Sequence, residues 1–162
     1  MTVPEMNDLT ALRAWRDATL YRLVLRAHHA EARATLTMLH SRGWTDVSLT
    51  DTALLANLDT AGTSVTALSQ RAGITRQAAS QQVATLEQRG YLRRNASPTD
   101  GRAWVVMQTA RGRRLLKDAL DIVSELERSY VDVIGEPHMQ AAKRALTKLL
   151  DHIDHDGSLS SN

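Results

Sequence analysis

Several side chains that can form hydrogen bonds with nucleic-acid bases follow Thr75. At 3.6 residues per turn, the polar residues between positions 75 and 89 share the outward face of one helix. An arginine can bond guanine through two hydrogen bonds, and a glutamine can do the same with adenine. The outward residues are Arg76, Gln77, Ser80 and Gln81, with Gln82 and Thr85 at the margin of that face, and Thr75 at the start of the helix is also predicted to contact DNA. These residue types at this spacing favour contact with the base edges of duplex DNA.

Two short helices separated by a tight turn would position this face. Ser64 or Thr66 can cap the first helix, and Gly73 stands where a helix end favours a left-handed residue. Thr75 can cap a second helix that runs to residue 89 and ends at Gly90. The residues predicted to be buried are Val65, Leu68, Ala72, Ala79, Val83 and Leu86. This pattern predicts a helix–turn–helix.

Residues 91–94 and 103–107 have strand composition, and the turn formers of residues 95–101 lie between them. A helix–turn–helix followed by a β-hairpin is a winged helix. Arg93 and Arg94 are neighbours in the first strand and must point to opposite faces. Only one of them can face DNA, and the sequence does not say which.

The sequence resembles the MarR family of bacterial transcription regulators over roughly residues 65–116. The matching pieces are residues 74–77, Ser80, residues 86–92, residues 100–102 and residues 109–113. The flanking helices agree with the family only in position and length. The resemblance implies a homodimer that binds a pseudo-palindromic double-stranded operator, acts as a repressor and is relieved by a small organic ligand. Whether binding represses or activates, and which ligand acts, stay open.

The resemblance also assigns roles in the wing. Asp100 would pair within the hairpin, and Arg102 would reach the minor groove or the DNA backbone. Gly101 stands where the family often has a second arginine. Gln81 and Gln82 replace the usual basic and apolar residues of the recognition helix. We therefore expect non-specific affinity to depend on the wing and the flanking arginines.

Phosphate contacts are predicted at the start of the first helix, where the hydroxyls of Ser64 and Thr66 and free backbone N–H groups suit a phosphate oxygen. Ser80 could face a phosphate or fill a tight helix crossing. Residues 71–117 contain ten Arg and Lys against two acids, a net charge of +8 in a chain of net charge +2. Basic charge concentrated on the helix–wing segment is typical of a surface that binds DNA.

Long helical patterns flank this core. One runs from about residue 9 to residue 39, a second from Thr109 to residue 134, and a third ends near residue 153. A short helix over residues 49–58 joins the first to the core, with little support for a strand after it. The second long helix carries an apolar stripe made of Leu116, Leu120, Val123, Leu126, Tyr130 and Val133 or Ile134. Such stripes exceed what the core can cover, so a homodimer is expected, with a monomeric bundle as the alternative.

The predicted fold class is mainly α with a small β-hairpin wing, a winged helix–turn–helix core flanked by long N- and C-terminal dimerisation helices. The predicted divisions are residues 1–48 for an N-terminal arm and dimerisation helix, 49–108 for the DNA-binding domain, and 109–162 for C-terminal dimerisation helices and a polar tail.

Other kinds of site find less support. The chain has no Cys, which excludes disulfides, thiolate metal sites and thiol-based redox sensing. No run of about 18 apolar residues and no signal-peptide pattern occurs, so a cytoplasmic protein without a membrane partner is expected. No nucleophile elbow or phosphate-binding glycine loop is present, so the sequence predicts neither an enzyme nor a cofactor.

Candidates for a small-molecule effector site, chosen by position in the family, are Trp15, Tyr21, His40 and Trp44. Each is more often a packing residue. His152 and His155 have helical ligand spacing but stand in a polar tail, so no metal site is predicted. Two alternative functions stay open: a winged helix that binds proteins and not DNA, and a metal-responsive regulator that uses histidines.

Overall fold

The computed structural model describes residues 8–96 and 104–156. These residues form helices with one two-stranded antiparallel hairpin, in the order α1 (Leu9–Asp17), α2 (Leu20–Ser41), α3 (Leu49–Ala56), α4 (Val65–Ala72), α5 (Arg76–Gln88), β1 (Leu92–Ala96), β2 (Trp104–Gln108), α6 (Ala110–Ile134) and α7 (Glu136–Asp156). The chain divides into two compact units, one ending at Ile122 and the other beginning at Val123. No helix of the described ranges is both long and apolar enough to cross a membrane.

The predicted single helix over residues 9–39 is wrong, because the chain breaks between α1 and α2. Thr19 is extended, with φ −67° and ψ 145°, and its hydroxyl accepts a hydrogen bond from the Arg22 N–H at 3.4 Å. The same hydroxyl donates to the Arg16 carbonyl at 2.7 Å, so Thr19 satisfies the end of one helix and the start of the next. Asp8 caps α1 by accepting from the N–H groups of Thr10 and Ala11.

The short helix α3 begins at Leu49 as predicted but ends at Ala56, before the predicted residue 58. Ser48 and Asp51 form a reciprocal capping box at its start. Leu54 and Leu55 are fully buried in the core. Leu58 lies beyond the helix and is half-buried.

The predicted helix–turn–helix is confirmed in its caps and its buried face. Ser64 caps α4, Gly73 has φ +63°, and Thr75 caps α5. Gly90, with φ +75°, follows the end of α5. The inner face of the helix pair consists of the fully buried Leu68, Ala79, Val83 and Leu86. Val65 and Ala72 are only half-buried.

The wing pairs β1 with β2 in an antiparallel register that joins Leu92 to Gln108 and Ala96 to Trp104. A third strand is reduced to a single bridge, in which Thr63 and Val106 exchange two backbone hydrogen bonds of 3.0 and 2.9 Å. Helix α4 begins soon after this bridge, so the hairpin is tied to the residue before the helix pair.

Helix α6 packs on the first unit through a face other than the predicted apolar stripe. Gly112, Leu115, Ala119 and Ile122 are buried. The predicted stripe is at best half-buried, and its Leu120 is 59% exposed. The second unit contains the rest of α6 and α7, and α7 has no buried residue in its described part. The apolar side chains of these helices are therefore mostly available to a partner.

Candidate nucleic-acid interface

The outward face of α5 presents polar groups that have no partner elsewhere in the described chain. Arg76 and Gln77 stand on the first turn, are exposed, and make no side-chain hydrogen bond or ion pair with another described residue. Gln81 is exposed one turn further on. The Thr75 hydroxyl accepts from the Ala78 N–H at 3.2 Å, so this residue is committed to capping. The donors of Arg76 and Gln77 can therefore turn toward a ligand without breaking a contact.

The marginal residues of this face turn inward. Gln82 is half-buried, and its Nε2 lies 3.5 Å from Asp51 Oδ1. The Thr85 hydroxyl donates to the Gln81 carbonyl at 3.1 Å. Both residues line an open groove of about 570 Å³ between α5 and residues 45–48. Ser80 is half-buried, which is compatible with either of its predicted roles.

The start of α4 is also exposed. The Ser64 hydroxyl accepts from the Ala67 N–H at 3.2 Å and so caps the helix. Thr66 is exposed on the first turn and has no side-chain partner among the described residues. The predicted phosphate contacts at these two residues remain predictions.

The two wing arginines have different environments. Arg94 lies 3.2 Å from Glu87 Oε2 at the end of α5, and its backbone N–H donates to Glu87 Oε1. Arg93 projects from the other face of β1, opposite Met107, and is exposed without an ion pair to a described residue. Asp100 and Arg102 lie outside the described residues, so their assigned roles remain predictions.

The net charge of residues 71–117 overstates the free positive charge of this surface. Of the nine cations of this segment that the structure describes, five form ion pairs, and four of the five acids that they contact lie outside the segment. The pairs are Arg71–Asp59, Arg89–Asp51, Arg94–Glu87, Arg111–Asp46 and Lys117–Asp121. Arg76, Arg93 and Arg114 are exposed and form no ion pair within the described ranges. These three arginines are the cations best placed to displace counterions from phosphates.

Sequence reasoning missed a polar cluster around Tyr91. This fully buried phenol donates to Asp46 Oδ1 at 2.6 Å and accepts from Arg111 Nη2 at 3.0 Å. The Arg111 guanidinium carbon lies 4.5 Å from the centre of the Tyr91 ring, within cation–π distance. Arg89 donates to the Asp46 carbonyl at 2.7 Å. No sequence signal points to Asp46, because an isolated acid in a connection belongs to no periodic pattern.

The cluster shifts the titration of its members. The hydrogen bond from Tyr91 lowers the pKa of Asp46, and the positive charge of Arg111 lowers it further. Burial raises the pKa of Tyr91, and its bond to Asp46 adds to that shift. The pKa of Arg111 is raised by its hydrogen bond to Tyr91. The ionised carboxylate, the neutral phenol and the cation therefore stabilise one another.

We expect Asp46→Asn to flatten the acid limb of the stability curve. A carboxyl whose folded pKa is depressed stabilises the protein above its unfolded pKa, and that contribution disappears as the pH falls through the folded value. The gap in unfolding free energy between wild type and variant should thus be largest at neutral pH and should close below about pH 4. Urea unfolding at a series of pH values measures the gap. Two curves that stay parallel down to pH 2 would contradict the assignment.

The four predicted effector residues do not come together in one chain. Tyr21 is 72% exposed near the start of α2, and His40 stands 19 residues later on the same helix, about 28 Å away. His40 Nε2 lies 3.4 Å from the Val47 carbonyl. Trp44 donates from Nε1 to Asp118 Oδ2 at 2.7 Å. Trp15 is half-buried on α1.

Potential metal ligands do not cluster in the described part of the chain, and Gln108 has a structural role. Within residues 8–96 and 104–156, no group of three or more His, Cys, Asp or Glu side chains could hold a metal ion. Gln108 donates from Nε2 to the Leu55 carbonyl at 2.8 Å and so ties β2 to α3.

Comparisons with known proteins give a family match for the central segment and the fold of the chain. Residues 45–103 match a model of the MarR family. No curated protein matches the sequence. The transcriptional repressor CouR bound to a 23-mer DNA duplex is 22% identical, with a TM-score of 0.69 over 83% of this chain and 94% of that chain.

Two other solved structures have the same fold. CouR from Rhodococcus jostii RHA1 bound to p-coumaroyl-CoA is 21% identical, with a TM-score of 0.66 over 82% of this chain and 92% of that chain. Wild-type MarR from E. coli in the apo form is 18% identical, with a TM-score of 0.67 over 82% and 97% of the two chains. The predicted winged-helix fold is confirmed.

Proposed function

Because residues 45–103 match a model of the MarR family, we propose that this chain is a sequence-specific transcription regulator that binds double-stranded DNA. It acts as a homodimer on a pseudo-palindromic operator, as a repressor that a small organic ligand releases. The observation that carries the proposal is the outward face of α5, where Arg76, Gln77 and Gln81 are exposed on a helix whose other face is buried. Regulators of this family are generally not enzymes.

The exposed donors of α5 suit the major groove. A recognition helix of this type reaches base edges with its N-terminal residues, and Arg76 and Gln77 are the first two residues of α5. We propose that Arg93 on the wing and the hydroxyl of Thr66 on α4 contact DNA phosphates. The structure of CouR bound to a DNA duplex, which has the same fold, supports DNA binding by this chain.

Exposed apolar side chains support a homodimer. Soluble monomers rarely expose large contiguous apolar patches, and here α1, α2, α6 and α7 all carry exposed large hydrophobic residues. They are Leu9, Leu20, Tyr21, Leu23, Val24, Leu120, Val133, Ile134, Leu146, Leu150 and Ile153. We propose that these helices form the dimer interface, with residues 1–48 and 109–162 flanking a DNA-binding domain of residues 49–108.

Val133→Glu should convert the dimer to a monomer. Val133 is 82% exposed on α6, and burial of an unpaired carboxylate at an interface costs several kcal/mol. We expect the dimer dissociation constant to rise by about 100-fold or more, since 1.4 kcal/mol corresponds to tenfold. Sedimentation equilibrium measures it, with Ser124→Glu on an exposed polar position of the same helix as the control. If both variants dimerise equally well, Val133 does not lie in the dimer interface.

The effector is proposed as a small organic molecule. The structure of CouR with p-coumaroyl-CoA supports a ligand-responsive regulator with this fold. Of the predicted effector residues, His40 and Trp44 are the two that adjoin the connection to the winged helix, so we propose that the ligand binds near these two side chains. Tyr21 lies about 28 Å from His40 along α2, so it does not belong to that part of the site.

Selection of DNA fragments tests the proposed function. The protein is mixed with random genomic duplexes at two salt concentrations, and the retained fragments are sequenced. A regulator enriches one palindrome and loses affinity steeply with salt. Weak binding without an enriched sequence would favour the protein-interaction alternative. Arg102→Ala in the same assay tests the predicted wing contact, and added zinc or nickel tests the metal-responsive alternative.

A further inference from the structure

The connection between α2 and α3, residues 42–48, is fastened along the first turns of α6. Trp44 Nε1 donates to Asp118 Oδ2 at 2.7 Å, and Arg42 Nη1 reaches the Asp118 carbonyl at 3.5 Å. Arg111 Nη2 lies 3.3 Å from Asp46 Oδ2. Arg111 and Asp118 are seven residues apart and thus share one face of α6. The connection is therefore held to α6 at two points, two helical turns apart.

The same connection is fastened to the end of the recognition helix. Arg89, the C-cap of α5, donates to the Asp46 carbonyl at 2.7 Å and lies 3.4 Å from Asp51 Oδ2. Tyr91, two residues further on, donates to Asp46 Oδ1 at 2.6 Å. Asp46 thus receives hydrogen bonds on both carboxylate oxygens and on its backbone carbonyl. The donors are Arg89 and Tyr91, which directly follow α5, and Arg111 at the start of α6.

We propose that Asp46 is a positioning residue that fixes the angle of the recognition helix relative to α6, and so sets the half-site spacing that the homodimer accepts. The inference rests on the proposed function, because spacing has meaning only for a dimer on a palindrome. In such a dimer the distance between the two recognition helices has to match about one turn of DNA. A link between α5 and the dimerisation helix α6 limits how far that distance can vary.

A substitution at Asp46 can weaken its link to α6 and keep its link to the end of α5. An asparagine of the same shape keeps one oxygen for Tyr91 and keeps the backbone carbonyl that accepts from Arg89. It loses the negative charge that pairs with Arg111, and charge-assisted bonds are about twice as strong as neutral ones. Asp46→Asn therefore weakens the link to α6 and leaves the link to α5. The recognition helix should stay folded while its angle becomes less restricted.

The test compares duplexes that differ only in half-site spacing. Each carries the selected operator at native spacing, with one base pair added, with one removed, or with a single half-site. Wild type should prefer native spacing by about tenfold, a typical coupling between sites, and Asp46→Asn should reduce that preference to about twofold. Its affinity for the single half-site should stay within about twofold of wild type, because α5 itself is unchanged. Asp121→Asn, which removes an acid that pairs with Lys117 within α6, should keep the full preference.

Arg111→Gln removes the cation that pairs with Asp46, and the same spacing assay can be made with this variant if Asp46→Asn does not fold. It should lower the spacing preference at least as far, because it also removes the bond from Arg111 to the Tyr91 hydroxyl, and the double variant should lower it no further than Arg111→Gln alone. Retention of the wild-type spacing profile by either folded variant would overturn the proposal. So would an equal loss of half-site and full-site affinity, which indicates a purely structural role. If wild type selects no operator at all, it is the proposed function that fails.

Discussion

We expect Gly112→Ala to lower the thermal unfolding midpoint by about 2–12 °C, since overpacking costs roughly 1–3 kcal/mol and each kcal/mol shifts a chain of this size by about 2–4 °C. A Cβ on Gly112 would stand 2.2 Å from the carbonyl oxygen of Tyr91 and 3.2 Å from its carbonyl carbon. The expected sign is opposite to the usual one, because alanine stabilises an ordinary helix position by about 1 kcal/mol relative to glycine.

The surroundings of Gly112 leave little room for relaxation. The Tyr91 carbonyl accepts from the Thr109 N–H at 3.0 Å, and the Thr109 hydroxyl donates to the neighbouring Gly90 carbonyl at 2.7 Å. The Thr109 hydroxyl in turn accepts from the Gly112 N–H at 3.1 Å, so the two backbones are held together at the close contact. Movement of α6 away from Tyr91 would also pull Arg111 from the phenol that it contacts.

Gly90→Ala is the matched control for this variant. Gly90 has φ +75°, but a Cβ at this position would have no neighbouring atom within 4 Å, so its substitution costs only the left-handed conformation, about 1–2 kcal/mol. Differential scanning calorimetry on wild type and both variants separates the two causes. If Gly112→Ala melts at or above the wild-type temperature, the close approach of α6 to Tyr91 is not a constraint in solution.

The helix–turn–helix could be predicted from the sequence because its signals are local. Ser64 and Thr75 satisfy N–H groups three residues away, and Gly73 and Gly90 supply positive φ at helix ends. The inner residues follow the helical period. A short window of sequence is enough to place these features.

The break at Thr19 could not be predicted because the apolar period continues through it. Threonine is tolerated inside a helix and also serves as a cap, and only the packing of α1 against α2 decides between them. The third strand of the wing could not be predicted for a related reason. It consists of one bridge at Thr63, which depends on contacts with Val106 that lies far along the chain.

The polar cluster at Tyr91 was also out of reach of sequence analysis. Asp46 contacts partners 45 and 65 residues away, and ion pairs across such distances leave no periodic pattern. The same long-range ion pairs explain why the net charge of residues 71–117 overstates the free positive charge of that segment. The acids that neutralise Arg71, Arg89 and Arg111 come from the connections before α3 and α4 and from α3 itself.

Arg76→Ala should lower operator affinity by about 10- to 100-fold, because a bidentate contact to a base contributes roughly 1–3 kcal/mol of discrimination. Arg76 is the first residue of α5, is exposed, and has no partner in the described chain, so its removal costs the free protein nothing that the structure shows. The loss should fall on the operator and spare unrelated duplexes. Fluorescence anisotropy with both kinds of duplex at several salt concentrations measures it.

The salt dependence decides what Arg76 contacts. If it contacts a base, the slope of log affinity against log salt stays close to wild type and one position of the operator becomes tolerant of substitution. A phosphate contact would instead reduce that slope by about one and weaken all duplexes alike. Arg144→Ala, which removes the same charge from an exposed position of α7, should change operator affinity by less than about twofold. If both variants lose affinity equally, the effect is one of net charge, and α5 does not read the operator through Arg76.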